Sequence, residues 1–436
     1  MPHGVTERMI RTYAPAIFEL GLNIQRRKGD AVRKLDWAAI AAQRDGTGRT
    51  DAEIAERLGL AEEQVTFIRV VAERRVFRRD QYRKLFGLGA GKRYRAGDGL
   101  AAPGLPELDA EAMLVRQAMH FDPEQVAHFA AEGLWGGETL EGWVRARAKA
   151  DPQRVALKAG SVSIDWQTLD RRVSHRAARL AEAGLERGRV ASVEATAAPE
   201  AVVAWLAIAR LGAVALLLPP GQAMLERRLC LAKARPQIDL TATPLADSDA
   251  EPPLILPRSG LASDPVALLV AEGGGEPKLA LHTHQTLAAA ARALAGALTI
   301  GSGDTITASG SLAQPPALLA LLLALATGAR LDLAGDTQSS WHLTAAGEAG
   351  VLGQARLVVV GPPSFESLPA GAIGLWGRPE ALAIALGHPL VALPGMTLRQ
   401  EGGVISARGA CGFAGWLGEM PAAPVGPADG GWIAHG

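Results

Sequence analysis

The chain has 436 residues, and its 45 Lys+Arg match 45 Asp+Glu, so the formal charge is zero. A hydrophobic share of 48% against 21% charged fits a folded protein and excludes wholesale disorder. Two cysteines, Cys230 and Cys411, are too few for a disulfide framework or a cysteine zinc site and fit a reducing compartment. The N-terminal MPHGVTERMIRTYAP lacks the apolar core of a signal peptide. The longest apolar runs, Pro315–Ala329 and Ala201–Ala209, fall short of the ~20 residues of a membrane span. These features point to a cytoplasmic protein away from membranes.

The zero charge is a sum of unlike parts. Residues 1–100 carry 20 basic against 13 acidic side chains, a surplus of seven, and the rest carries the opposite deficit. Asp51–Leu58 reads as a short helix with Ile54, Ala55 and Leu58 on one face, broken by Gly59. A second helix runs from Ala61 to about Arg75, with Val65 and Ile68 turned back on the first. The phrase TDAEIAERLGLAEEQVTFIRVV resembles a helix-turn-helix unit of the sigma-factor kind. That resemblance places Gln64, Thr66 and Arg69 toward a major groove and Arg74 and Arg75 near phosphates. Trihelical units of this pattern also dock on proteins, so the basic head points equally to DNA or to an acidic protein partner. The expected organisation is an all-α, helix-turn-helix-like domain over 1–98, a Gly/Pro/Ala-rich linker over 99–108, and an α/β domain over 109–436.

The α/β domain opens with a helical stretch from Asp109 to about Ala150. Alternation then predicts a hairpin over Val155–Ile164, a helix over Trp166–Ala183, a strand over Val190–Ala195, a helix over Glu200–Leu211 and a buried strand over Ala213–Leu218. A strand over Val266–Ala271 runs into Glu272-Gly273-Gly274-Gly275-Glu276-Pro277-Lys278. Glycines let N–H groups approach phosphate, and a lysine adds positive charge. Glu272 and Glu276 oppose that role, and an ordinary tight turn between strands explains the residues better. His282 and His284, two apart on a predicted strand, share a face open to a metal, although no third ligand lies nearby.

Residues 138–220 and VALLVAEGGGEPKLALHTHQTLAAAARALAGALTIGSGDTI over 266–306 resemble the adenylate-forming superfamily in order and spacing. That group comprises acyl-CoA synthetases, peptide-synthetase adenylation domains and luciferases. The resemblance spans roughly 138–436 and implies a layered α/β fold, shortened here. It assigns Gly273, Gly274, Gly275 and Lys278 to the phosphate loop, with Lys278 catalytic. Ala372–Glu380 resembles the aromatic-Gly-x-Thr-Glu motif, which implies Trp376 and Gly377 beside an adenine and Glu380 as a catalytic Mg²⁺ ligand. Pro379 replaces the motif's Thr, and Glu380 also reads as the first residue of a helix over Glu380–Leu386. Asp429 and Trp432 match the approach to the ribose-binding segment, and by the resemblance the ribose-binding Asp and the mobile domain with the adenylation lysine are missing from this sequence. Only 38 residues separate Gly335 from Gly374, room for one recognisable strand, Ala355–Gly361, where relatives build the acyl pocket.

The implied cofactors are ATP or AMP with Mg²⁺, and CoA if the protein is active. The expected function is a degenerate acyl-CoA synthetase-like protein that senses an acyl or nucleotide ligand or docks on a partner. The alternative is an active acyl-activating ligase completed by another chain.

Overall fold

Side-chain caps and glycines punctuate the chain much as its sequence suggests. The computed structural model describes residues 108–119, 123–241, 260–271, 276–335, 339–346, 355–362, 368–387, 389–401, 404–417 and 433–435. The helix-turn-helix-like segment, the linker up to residue 107 and the glycines of the phosphate loop lie outside them. Contacts divide the chain into two compact units, Met1–Ala110 with Phe121–His128 and Glu111–His120 with Phe129–Gly436. The architecture described below is that of the second, apart from Ala110 of the first helix and Pro123–His128 of the second, which belong to the first unit.

The described elements begin with helices α1 (Ala110–Gln117), α2 (Pro123–Ala131) and α3 (Leu140–Ala150). Thr139 caps α3 by accepting from the Gly142 N–H at 3.2 Å. The hairpin of β1 (Val155–Ala159) and β2 (Val162–Asp165) turns at Gly160, where φ is +58°. Asp165 then caps α4 (Trp166–Glu182) through the Thr168 N–H at 2.6 Å. Strand β3 (Val190–Glu194), helix α5 (Pro199–Arg210), strand β4 (Val214–Leu218), helix α6 (Met224–Ala234) and strand β5 (Ile238–Asp239) follow. Next come the antiparallel pair β6 (Pro265–Ala271) and β7 (Lys278–Thr283), then α7 (His284–Leu298).

Strand β8 (Thr305–Ala308), helix α8 (Pro315–Thr327) and strand β9 (Arg330–Asp332) precede β10 (Trp341–Ala345), β11 (Arg356–Gly361) and β12 (Ile373–Arg378). The remaining strands are β13 (Ala381–Leu386), β14 (Val391–Ala392), β15 (Met396–Glu401), β16 (Val404–Gly409), β17 (Gly415–Trp416) and β18 (Ile433–His435).

Three sheets result. A nine-stranded sheet has the order β14-β13-β12-β11-β10-β8-β9-β1-β2, parallel from β12 to β1. A six-stranded sheet runs β17-β7-β6-β4-β3-β5, parallel from β6 to β5. Strands β15, β16 and β18 form a small third sheet. Helix α5 touches β1 of the first sheet and both β3 and β4 of the second, while α7 touches β13 and β7, so helices fill the space between two sheets. That position explains the apolar runs. All of α5 except Glu200 is buried, and so is α8 from Pro316 to Leu325. Among the described residues no helix is long and apolar enough to cross a membrane.

Buried ion pairs tie the helices and the loops to one another. Arg210, 2% exposed, reaches Glu141 at 3.3 Å and Asp170 at 2.6 Å. Asp264 joins Arg187 at 2.7 Å and Arg116 at 2.5 Å. Burial alone would raise the Asp264 pKa, but the two guanidinium groups and the Leu261 N–H hold it down at about 2.

Three expectations change. The helix over Glu380–Leu386 is strand β13, whose Ala-Leu-Ala-Ile-Ala-Leu pairs with β12 and is buried through Ala385. The interval after Gly335 holds two strands and not one, since β10 also crosses it. His282 and His284 do not share a strand face. Thr283 and Thr286 form a capping box, so α7 begins at His284 and turns it to accept from the Leu140 N–H at 3.1 Å.

Candidate functional site

In open parallel sheets a ligand crevice lies outside the carboxyl ends of the strands, where strand order reverses. Here β8 connects through α8 to β9 on one side, while β10, β11 and β12 extend on the other. A cleft of about 560 Å³ lies at these ends. Ala345, Gly361 and Trp376 reach it from β10, β11 and β12, and Val270 and Pro219 from β6 and the end of β4.

The far wall is the β12–β13 turn, Arg378-Pro379-Glu380-Ala381, in which Arg378 pairs with Ala381. Three bonds pin it. His282 Nε2 meets the Pro379 carbonyl at 2.7 Å, the Phe413 N–H donates to the Glu380 carbonyl at 2.7 Å, and Ala381 bridges Gly412. Because that carbonyl can only accept, Nε2 carries the His282 proton. Burial drives the His282 pKa down to about 4 although the bond to Pro379 pulls it up, so the ring is neutral at pH 7.

Glu380 is 6% exposed, and Arg378 holds both its oxygens, Nε to Oε2 at 3.1 Å and a terminal nitrogen to Oε1 at 3.0 Å. This is a bidentate fork that satisfies the carboxylate.

The expected site residues divide. Trp376, Gly377 and Glu380 line the cleft together. Lys278 is exposed outside the lining, with its Nζ 5.3 Å from the centre of the Trp416 ring. The flank of the phosphate loop is held from outside, because Lys233 donates to the Pro277 carbonyl at 3.1 Å and faces Glu276 at 3.8 Å. Gly273, Gly274, Gly275 and Glu272 lie outside the described residues, as do Gln64, Thr66, Arg69, Arg74, Arg75, Asp429 and Trp432.

Sequence reasoning missed Gln222, Glu226 and Arg378, which line the cleft together with Gln314. The available signals were Pro219-Pro220-Gly221 directly after a buried strand, and two opposite charges flanking Pro379. Gln314 starts α8, and Pro315 and Pro316 occupy its first positions. A helix N-terminus ordinarily offers N–H groups to an anion, and these two prolines have none.

Comparison with known proteins bears on the fold. Residues 144–269 match the family described as AMP-binding enzyme. Nothing among curated proteins matches the chain. The crystal structure of VinN superposes with a TM-score of 0.56 at 19% identity, covering 65% of this chain and 92% of that one. Apo MbtA of Mycobacterium smegmatis gives 0.57 at 20% identity, over 70% and 73%. Wild-type E. coli MenE, bound to an analogue of OSB-AMS, gives 0.55 at 17% identity, over 67% and 74%. The body of the chain has the adenylate-forming fold. The β12–β13 turn carries the residues that resemble the aromatic-Gly-x-Thr-Glu motif in sequence, and it borders the cleft.

Proposed function

We propose that this protein keeps the adenylate-forming fold as a small-molecule binding module and has lost most of the ligase chemistry. It would act as a ligand sensor or docking regulator, with the basic head directed at DNA or an acidic protein in the cytoplasm. The observation that carries this reading is the Arg378–Glu380 fork, which occupies both oxygens of the one carboxylate expected to hold Mg²⁺. Three further features agree. Pro379 brings neither hydroxyl nor N–H to the motif, Pro315 and Pro316 remove donors from a helix start at the cleft, and Lys278 lies on Trp416 outside the lining.

Adenylation is in-line attack of a carboxylate on a phosphorus, driven almost wholly by positioning and charge neutralisation. Loss of a single electrostatic donor typically costs about 10²–10³ in rate, so several losses together leave little turnover. A small acyl or nucleotide compound remains the natural ligand class for a cleft of this size. VinN has been crystallised with L-aspartate and with 3-methylaspartate, which makes small carboxylic acids the first panel to try.

The test is ATP–pyrophosphate exchange by the full chain over such a panel, with and without CoA. Exchange at background level is expected. Clear turnover that disappears in Glu380→Ala would sink this reading and favour an active acyl-activating ligase, completed by a partner chain if exchange requires one.

A further inference from the structure

The adenylate-forming fold implies a divalent cation at Glu380, and the residues present do not fit one. Mg²⁺ requires carboxylate oxygen at about 2.0–2.1 Å in a near-octahedral shell. Both oxygens of Glu380, whose side chain is 8% exposed, instead accept from the guanidinium of Arg378. Among the described residues no group of three or more His, Cys, Asp or Glu gathers as a metal site. A divalent ion brought to Glu380 would also meet the positive charge of Arg378, which an arginine cannot shed.

The fork is part of a rigid turn. Arg378 and Glu380 flank a proline whose φ is fixed, and the turn is anchored by His282, Phe413 and Gly412 from three other segments. Such anchoring fixes the backbone that carries both members of the fork. Arg378 nevertheless borders the cleft, with 30% of its side chain exposed.

We propose that Arg378 is a tethered cation standing in the place of the divalent metal, so that the cleft binds its ligand without Mg²⁺. The proposal deepens the reading above, from which it takes the site. It also narrows the ligand. A metal ion brings two charges and open coordination positions that bridge phosphate oxygens, whereas Arg378 brings one charge already balanced by Glu380. Glu226 adds a further carboxylate to the lining. The ligand class that suits this balance is uncharged or singly charged, and a triphosphate is excluded from it.

The experiment titrates Mn²⁺ alone into the full chain and follows bound ion by electron paramagnetic resonance. Wild type and Glu380→Gln should behave alike, with no ion bound through the cleft. Arg378→Ala should gain one Mn²⁺ per chain, and the Arg378→Ala/Glu380→Gln double variant should lose it again. The melting temperature of Arg378→Ala should drop by several degrees and recover in millimolar Mn²⁺, with no such recovery in the double variant. Mn²⁺ binding by wild type that Glu380→Gln abolishes would overturn the proposal, and so would an Arg378→Ala protein that gains no ion. If Arg378→Ala does not fold, the comparison of wild type with Glu380→Gln decides alone. The two readings fail separately. Exchange activity would sink the loss of ligase chemistry and with it the exclusion of a triphosphate, while Mn²⁺ gained by Arg378→Ala would still place Arg378 where the ion would sit, whereas Glu380-bound Mn²⁺ in an exchange-inactive protein would sink only the tethered cation.

Discussion

Gly377 shows how one motif residue serves the fold before any ligand arrives. The β12–β13 register slips between Trp376 and Arg378, and at that slip the backbone of Gly377 lies against the Leu382 carbonyl. A Cβ at this position would overlap that oxygen and lie 3.1 Å from Val360 Cγ1. Gly377→Ala must therefore push two paired strands apart and should cost on the order of 2–3 kcal/mol. Urea unfolding checks this, and a change within about 0.5 kcal/mol, the range of an ordinary surface substitution, would show that the strands have slack. Trp376 gives the complementary lesson. It is fully buried, and its indole N–H has no partner among the described residues, so its ring forms wall and core together. Both residues were visible in the sequence as a motif. What made them necessary, a close approach across a hairpin, is a property of two strands and cannot be read from one.

At the scale of elements, the sequence identifies the pieces whose ends or apolar runs are marked and misjudges those that tertiary pairing decides. The helices α4 and α5 and the strands β3, β4 and β6 lie within a residue or two of their expected bounds because caps, prolines and continuous apolar runs mark them. Strand β13 is built from alanine and leucine, good helix formers, and only its partner β12 makes it extended. Strand β10 alternates apolar with polar residues at the period of a strand, but its five residues are too short a run to stand out from one sequence alone. The link between β7 and the β12–β13 turn was equally hidden, since His282 and Pro379 are far apart in sequence. That link has a pH signature. The folded His282 pKa of about 4 lies below its unfolded value of 6.5, so between the two the unfolded chain binds more protons. The stabilisation is complete above 6.5, is lost as pH falls toward 4, and amounts to roughly 3 kcal/mol at most. The stability difference between wild type and His282→Gln should therefore shrink markedly between about pH 7 and about pH 4.5. Equal differences by urea unfolding at both values would mean that the imidazole does not titrate in the folded state as its burial requires.

Across the whole molecule, charge is segregated, and the two parts were legible to different degrees. The layered α/β body follows from alternating patterns and a recognisable order of blocks. Its cleft was legible only in part, because Arg378 and Gln222 belong to it through topology and carry no motif of their own. The basic head, by contrast, was read entirely from composition and a short helical phrase, and it remains a proposal. The surplus of seven positive charges in residues 1–100 makes one prediction quantitative. A protein that neutralises phosphates releases counterions, so its affinity for duplex DNA falls with salt by a slope of about −0.9 per contact. The full chain should bind duplex DNA at low salt and lose affinity steeply as salt rises. Arg74→Ala, which the helix-turn-helix resemblance sets near phosphate, should flatten the slope by about one and weaken all sequences alike, whereas Arg69→Ala, which it sets toward the groove, should blunt any sequence preference. Fluorescence anisotropy on short and long duplexes measures both. If neither length binds at low salt, the charge is there for an acidic protein, and the helix-turn-helix phrase is a docking fold.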